Sequence, residues 1–264
     1  MEGRWSVYLM PRHSYLDHSG PIAFAHRGGT SAAPENSLRA FADAVSLGYQ
    51  YLETDVHATS DGVLVAFHDN DLERTCGEKR AIATSTWEEL TSARIDGTDP
   101  IPLLDDLLDE FPEAKFNIDC KADSALEPLI KKLRQRDCLS RVCIGSFSDK
   151  RLERVRAEFG TTVCTSMGPR DVAKVRLGTW VGRAPRFRGE AVPLAAQVPV
   201  KQGPLPIVTP SFVDGAHAAG LQVHVWTIDD PVEMSRLLDL GVDGIMTDRV
   251  TTLRDVIRSR GQWQ

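Results

Sequence analysis

The stretch YLETDVH, from Tyr51 to His57, carries two carboxylates and a histidine at every second position. Side chains alternate along a β-strand, so Glu53, Asp55 and His57 would share one face. A strand buried in a parallel sheet is normally apolar on both faces, and neighbouring carboxylates there repel each other and lose hydration. Either a hard divalent cation or basic side chains could compensate them, and this stretch alone favours neither.

Seven further apolar runs surround this stretch, and a segment with helical spacing follows each strand candidate. The predicted strands are Ile22–Ala25, Tyr51–Val56, Phe116–Cys120, Val142–Gly145, Thr162–Thr165, Leu194–Val198, Gln222–Trp226 and Gly244–Thr247. The predicted helices are Ser37–Leu47, Leu103–Phe111, Ala125–Arg136, Asp149–Phe159, Pro169–Leu177, Pro210–Ala219, Pro231–Leu240 and Thr251–Ser259. Alternating strands and helices in 264 residues are typical of one (β/α)8 barrel (TIM barrel), an α/β fold.

The segment from about residue 58 to about residue 102 is too long for a simple connection. Asp61-Gly62 within it predicts a hairpin, and a two-residue loop would place Asp55 opposite His68. We therefore predict a single catalytic barrel domain over residues 1–264. It would carry a small inserted subdomain, at about 58–102, between the second strand and its helix.

Composition excludes several classes of protein. Hydrophobic residues make up 42% and charged residues 26%, which is typical of globular proteins. The net charge of −6, with no basic stripe, argues against a nucleic-acid partner. Without an apolar run of ~18 residues or a signal peptide, we expect a cytoplasmic protein with no stable membrane insertion. Five cysteines without a C-x-x-C pair disfavour a disulfide framework or zinc site.

Polar residues also stand at the ends of other predicted strands. In FNIDCK, Asp119 and Lys121 share a face, where they could serve a metal and a phosphate or simply pair with each other. After the first strand, His26 would lie at the barrel mouth, and Arg27 offers a donor fork for phosphate oxygens. The following Gly28-Gly29 would let the backbone approach a ligand closely.

For the remaining polar residues, the sequence predicts structural or surface positions, or leaves the role open. Asn36 is predicted to cap the helix that follows, and His13 and His18 are predicted to lie at the surface. Glu35 is left open between ligand, supporting partner and surface residue. For the stretch 178–193, a solvated loop is favoured over a basic rim formed by Arg183, Arg186 and Arg188.

Three carboxylates, two histidines, one arginine and one lysine thus converge at strand ends. This set suits phosphodiester cleavage, because a cation neutralises the developing charge while one imidazole takes a proton and the other gives one.

The same motifs, in this order, resemble the glycerophosphodiester phosphodiesterase family. They are His26-Arg-Gly, Pro34-Glu-Asn, Glu53-x-Asp55, His68-Asp69, Asp119-x-Lys121 and the ending Gly241–Asp248. The resemblance spans about Ile22 to about Arg254. It implies a barrel with a small insertion that cleaves glycerophosphodiesters to sn-glycerol 3-phosphate and an alcohol, using one divalent cation, Mg2+ or Ca2+.

Residue roles follow from the matching positions. The acid–base pair would be His26 and His68. The metal ligands would be Glu53, Asp55 and Asp119. The phosphate would be held by Arg27 and Lys121. Trp226 would pack against substrate, with a core tryptophan as the alternative. The family usually has Glu where Asp119 stands, which leaves the metal open.

Two rival functions stay open. A lyase related to sphingomyelinase D uses a similar barrel and histidine pair, although that group usually lacks the Pro-Glu-Asn stretch and carries a disulfide in its catalytic loop. A non-catalytic binding barrel would be favoured by loss of either histidine, and both are present. Head-group preference and oligomeric state are not indicated.

Overall fold

The computed structural model describes residues 13–181, 187 and 191–263, so Arg183, Arg186 and Arg188 lie outside it. The eight parallel strands are β1 (Ile22–His26), β2 (Tyr51–Ala58), β3 (Lys115–Cys120), β4 (Val142–Gly145), β5 (Cys164–Thr165), β6 (Ala195–Pro199), β7 (Gln222–Trp226) and β8 (Gly244–Thr247). The long helices are α1 (Leu38–Ser46), α2 (Leu104–Glu110), α3 (Asp123–Gln135), α4 (Asp149–Phe159), α5 (Pro169–Trp180), α6 (Pro210–Ala218), α7 (Pro231–Leu240) and α8 (Val250–Ser259).

The strands form one sheet in the order β5-β4-β3-β2-β1-β8-β7-β6. Its two edges meet, because the Leu194 amide donates to Thr165 O (2.9 Å) and the Met167 amide donates to Ala195 O (2.8 Å). The predicted (β/α)8 barrel is therefore confirmed. All eight strands end at the same rim, which is where active sites lie in this fold.

The opposite end of the barrel is covered by a short 3-10 helix, Ser14–Leu16. Tyr15 is fully buried there, with its ring edge-on to Tyr51 at 5.4 Å. His13 is also buried, and its Nε2 lies 3.1 Å from Thr162 O, so its predicted surface position is wrong. The N-terminal segment shows no hydrophobic periodicity in sequence, because only a few of its side chains pack into this end of the barrel.

Residues 59–103 fold outside the barrel, between β2 and α2. The strand Leu64–Ala66 pairs with β2, and the short helices Glu73–Cys76 and Trp87–Leu90 follow it. Within this segment, Arg94–Ile95 pairs with Asp99–Pro100 in an antiparallel manner. A second short antiparallel pair lies elsewhere, after β6, between Lys201–Gln202 and Leu205–Pro206. Residues 59–103 have their own apolar cluster, formed by Val65, Phe67, Leu72, Ile82, Leu90, Ala93, Ile95 and Ile101.

The hairpin at its start has a different register from the one expected. Val56 pairs with Ala66, and the Phe67 amide donates to Asp55 O at 3.0 Å, so Asp55 lies opposite Phe67 rather than His68. The turn holds three residues and has Gly62 in the left-handed region, at φ 81°. His68 lies beyond the last paired residue, so strand alternation does not set the direction of its side chain.

No helix among the described residues is long and apolar enough to cross a bilayer.

Candidate active site

A cavity of about 640 Å3 opens where the strands end. Seven of the eight predicted site residues line it: His26, Arg27, Asp55, His68, Asp119, Lys121 and Trp226. The eighth, Glu53, is buried beside them, and its Oε2 accepts a hydrogen bond from the Arg27 amide at 3.0 Å. The structure therefore brings all eight predicted residues to one place.

Strand register accounts for much of this convergence. In the parallel ladder between β2 and β3, Asp55 pairs with Asp119, and β1 places His26 beside Glu53 in the same way. Neighbouring residues of a parallel ladder stand side by side on the same face, so three adjacent strands supply one polar patch.

Two cations sit against Asp55. Lys121 Nζ lies 3.0 Å from its Oδ1, and Arg27 Nε lies 3.0 Å from its Oδ2, a charge contact that is not aligned as a hydrogen bond. Burial opposes ionisation of this carboxyl, but Lys121 and Arg27 outweigh burial and hold its pKa below the ordinary value. Asp55 is therefore an anion at neutral pH.

Glu53 and Asp119 are less well compensated. Burial, and then the charge of Asp55, raise the pKa of Glu53 to about 7. Burial also raises the pKa of Asp119, although Lys121 Nζ lies 3.1 Å from its Oδ2. Asp119 Oδ1 is buried without any hydrogen-bond partner. An orphaned buried carboxylate oxygen is costly, so these two carboxyls have room for further positive charge.

The carboxylates do not form a ready-made ligand cluster. Across the described ranges, no three histidine, cysteine, aspartate or glutamate side chains converge closely enough to hold a metal ion. Lys121 bridges Asp55 and Asp119 instead.

Each of the two predicted catalytic histidines has a carboxylate on Nδ1. His26 Nδ1 lies 2.7 Å from Asp248 Oδ1, and its Nε2 lies 3.9 Å from Glu53 Oε2. Burial lowers the pKa of His26, but Glu53 and Asp248 together outweigh it and raise that pKa.

His68 Nδ1 lies 2.5 Å from Asp69 Oδ1, which leaves the other ring nitrogen for the cavity. Arg74 Nε donates to Asp69 Oδ2 at 2.6 Å. Burial opposes ionisation of Asp69, but Arg74 and His68 outweigh it and lower its pKa to about 2. From β2, His57 Nε2 lies 3.1 Å from His68 O, so this histidine supports the His68 backbone.

Arg74 also connects the insertion to the barrel. Its two terminal nitrogens donate to the Glu35 carboxylate at 3.0 and 2.6 Å, and Glu35 Oε1 accepts from an Arg27 terminal nitrogen at 3.1 Å. Glu35, whose role was left open, is therefore a bridge between Arg74 and Arg27.

The predicted cap of α1 is wrong. Ser37 caps the helix, through its hydroxyl and the Ala40 amide (3.1 Å), whereas Asn36 is buried and its Nδ2 lies 3.5 Å from Asp55 Oδ2. Close packing also requires the glycine pair. A Cβ on Gly28 would lie 2.8 Å from the Phe41 nitrogen, and one on Gly29 would meet α8.

Sequence reasoning assigned no role to Asp248 or Arg74. Asp248 directly follows β8, a position that signals the catalytic rim in a barrel. Arg74 lies within the insertion, and its pairing with Glu35 spans 39 positions, which local spacing cannot reveal.

Comparison with known proteins identifies the family of this chain. The sequence model of the glycerophosphoryl diester phosphodiesterase family matches residues 26–252. The chain is 42% identical to the probable glycerophosphodiester phosphodiesterase 2 of Mycobacterium tuberculosis, covering 96% of this chain and 97% of that protein. It is 30% identical to a glycerophosphodiester phosphodiesterase of Caldanaerobacter subterraneus, with coverages of 91% and 99%.

A phosphodiesterase of Oleispira antarctica, solved with its product sn-glycerol-3-phosphate, has a similar fold. Its TM-score is 0.74 at 21% identity, covering 90% of this chain and 97% of that one. The fold and site thus define a barrel enzyme of the phosphoric diester hydrolase class. This chain belongs to the glycerophosphodiester phosphodiesterase family.

Proposed function

We propose that the protein hydrolyses glycerophosphodiesters to sn-glycerol 3-phosphate and an alcohol, with one divalent cation, Mg2+ or Ca2+, and with His26 and His68 as the acid–base pair. The observation that carries this proposal is one cavity lined by two imidazoles, each anchored by a carboxylate, together with a lysine and acidic groups. The activities named for the relatives agree with it.

The residues present fit a divalent cation. Glu53, Asp55 and Asp119 offer only oxygen donors, which hard cations prefer, and Asp119 Oδ1 lacks a partner. Without a cation, these three carboxylates would repel an anionic phosphodiester. When bound, the cation would neutralise charge on the phosphoryl oxygens. Lys121, on its flexible stem, would then be released from the carboxylates to contact the phosphate.

The two histidines supply proton transfer. In a glycerophosphodiester, one imidazole takes the proton of the glycerol 2-hydroxyl, whose oxygen bonds to phosphorus. The other imidazole protonates the alcohol oxygen as its bond to phosphorus breaks. Water then opens the resulting cyclic phosphate with the two roles exchanged. Their carboxylate partners hold Nδ1 of each ring, which keeps Nε2 available.

A coupled assay of sn-glycerol 3-phosphate release tests the proposal. Wild-type protein should cleave glycerophosphocholine with Mg2+ or Ca2+ and lose activity in excess chelator. Full activity in chelator would exclude the cation. Accumulation of cyclic phosphate without further hydrolysis would instead favour the lyase. A substrate lacking the 2-hydroxyl should be nearly inert, whereas its rapid hydrolysis would exclude the cyclic route.

Substitution of the unusual third carboxylate sharpens this test. Asp119→Glu should keep substantial activity with altered cation preference, whereas Asp119→Asn should lose both cation affinity and rate, because it removes a charge. Isothermal titration of the cation measures affinity independently of turnover. Equal activity of the wild type and Asp119→Asn would show that Asp119 is not a ligand.

A further inference from the structure

A group of uncharged polar side chains adjoins the charged residues of the cavity. Gly145 ends β4, and a Cβ on it would lie close to polar atoms of three side chains. The distances are 3.4 Å to Gln197 Oε1, 3.7 Å to Ser166 Oγ and 3.9 Å to Asn117 Nδ2. All four residues line the cavity. Because glycine has no side chain, these polar atoms face one small space, which we call the Gly145 pocket.

The Gly145 pocket lies beside the proposed cation site. In the ladder between β3 and β4, Gly145 pairs with Asp119, so the two residues stand side by side on one face. Asn117 lies two positions before Asp119 on β3 and therefore points to the same side. Neighbouring strands are only about 4.8 Å apart. A group joined to the phosphate by a few bonds can therefore reach the pocket.

A buried hydrogen-bond network beneath the pocket fixes the orientation of its amides. Gln222 Nε2 donates to Leu16 O at 3.2 Å, which leaves Gln222 Oε1 to accept from His224 Nε2 at 3.1 Å. Burial lowers the pKa of His224 to about 4, so the ring is neutral and has only one N–H. His224 Nδ1 must therefore accept, and Gln197 Nε2 lies 3.4 Å from it as the donor.

The same network determines which atoms face the pocket. Gln197 Nε2 also donates to Asn117 Oδ1 at 2.6 Å, so Gln197 Oε1 remains as an acceptor and Asn117 Nδ2 as a donor. Among the described residues, none forms a hydrogen bond with either of these two atoms or with Ser166 Oγ. Asn117 and Ser166 are both only 3% exposed. Polar atoms of side chains this buried are costly to leave without a partner.

A hydroxyl group matches the Gly145 pocket. It can accept from Asn117 Nδ2 and donate to Gln197 Oε1 at the same time. The three polar atoms of the pocket carry no formal charge, so a charged head group finds no counter-charge among them. In the proposed reaction an imidazole engages the glycerol 2-hydroxyl. The terminal hydroxyl, one carbon farther from the phosphate, is free to reach the pocket.

We propose that the Gly145 pocket binds the terminal hydroxyl of the glycerol group and thereby selects glycerol over alcohols that lack this hydroxyl. This inference rests on the proposed function and assigns Asn117, Ser166 and Gln197 as specificity-determining residues of the same reaction. The alcohol that leaves would then extend toward the mouth of the cavity.

A substrate that lacks only the terminal hydroxyl tests this inference. 2-Hydroxypropyl phosphocholine, with the same configuration at carbon 2, keeps the phosphate, the choline and the 2-hydroxyl of glycerophosphocholine. We expect the wild-type kcat/KM to be at least about tenfold lower for this analogue, because it leaves the donor and the acceptor of the pocket unpaired. Isothermal titration of sn-glycerol 3-phosphate and of 2-hydroxypropyl phosphate measures the same preference in binding, without turnover.

Two variants link that preference to the Gly145 pocket. Gly145→Ala places a methyl group in it at ordinary contact distances, on a strand backbone that alanine adopts readily. It should remove the preference by lowering kcat/KM for glycerophosphocholine about tenfold, with the value for the analogue unchanged within about twofold. Ser166→Ala leaves no group unpaired and should reduce the preference about threefold. Ser148→Ala is the matched control, since Ser148 lies outside the cavity and its side chain makes no capping hydrogen bond at the start of α4.

The outcomes separate the two proposals. Equal kcat/KM of the wild type for both substrates overturns the Gly145 pocket as a hydroxyl site and leaves the proposed function intact. A preference that survives in Gly145→Ala, or an equal loss of both activities in that variant, also overturns it. If Gly145→Ala does not fold, Ser166→Ala decides, and an unchanged preference there overturns the pocket. Turnover of neither diester by the wild type overturns the proposed function and this inference with it.

Discussion

The two halves of the active site are built in different ways. His26 ends β1. Its neighbour Glu53 lies on the flanking strand β2, and its partner Asp248 directly follows β8 on the other side. His68 stands in the insertion, where its Nδ1 contacts Asp69, and Asp69 in turn is ion-paired with Arg74. Backbone ladders thus place the first histidine, and charged side chains place the second.

The difference extends to the charge that each imidazole meets. Arg74 pairs with Asp69, whereas within the described chain Asp248 has no arginine or lysine ion-paired with it. In the barrel half, His26 therefore meets the full negative charge of Asp248. In the insertion half, Arg74 fixes the position of Asp69 but also neutralises part of the negative charge that His68 meets.

Exchange of the two carboxylates for amides tests this contrast most strongly. Asp248→Asn should reduce kcat about 100-fold, because the ring loses both its tautomer control and an uncompensated charge. Asp69→Asn should reduce kcat only about tenfold, since Arg74 already offsets much of that charge. Turnover of glycerophosphocholine measures both, with thermal unfolding as the control. A larger loss in the Asp69 variant would contradict the comparison.

Loss of Arg74 should have a smaller effect on rate. Arg74→Gln frees Asp69 and Glu35 together, so we expect kcat to fall up to about tenfold as His68 and Arg27 lose their supports. Arg74→Lys should recover only part of this, because an ammonium cannot bridge both carboxylates with a planar fork. A purely structural role would instead lower the unfolding temperature and leave the kcat of the folded fraction unchanged.

Lys79→Gln is the control for that series. Lys79 is another insertion cation, its side chain is 84% exposed, and it pairs with Glu73 at the surface. It should change neither kcat nor KM.

A third histidine–carboxylate pair, far from the mouth, should affect stability alone. His217 Nε2 lies 2.7 Å from Asp243 Oδ2, and although burial opposes it, Asp243 raises the pKa of His217. Its contribution is complete below the unfolded pKa of about 6.5 and is lost as pH rises through the folded pKa.

We expect His217→Gln to cost up to about 1 kcal/mol at pH 5.5 and less at pH 8.5 in urea unfolding. Activity should not change. A cost that grows with pH would contradict the assignment.

The strands and the polar face of β2 could be predicted because they depend on local sequence. Apolar runs identify strands, and alternation places Glu53 and Asp55 together. The partner of His26 could not be derived in this way, since Asp248 lies 222 positions away and only barrel closure joins them. The hairpin register failed for a local reason, because a left-handed Gly62 suits both a two-residue and a three-residue loop.

The central claim is that the two differently built histidines act as one acid–base unit. Release of sn-glycerol 3-phosphate should be measured for wild type, His26→Ala, His68→Ala and the double variant in one assay. Each single change should cost about 10^2 to 10^4 in kcat, and the double variant should lose little more than the worse single one. Near-normal turnover in both single variants, or losses that multiply in the double variant, would contradict the account.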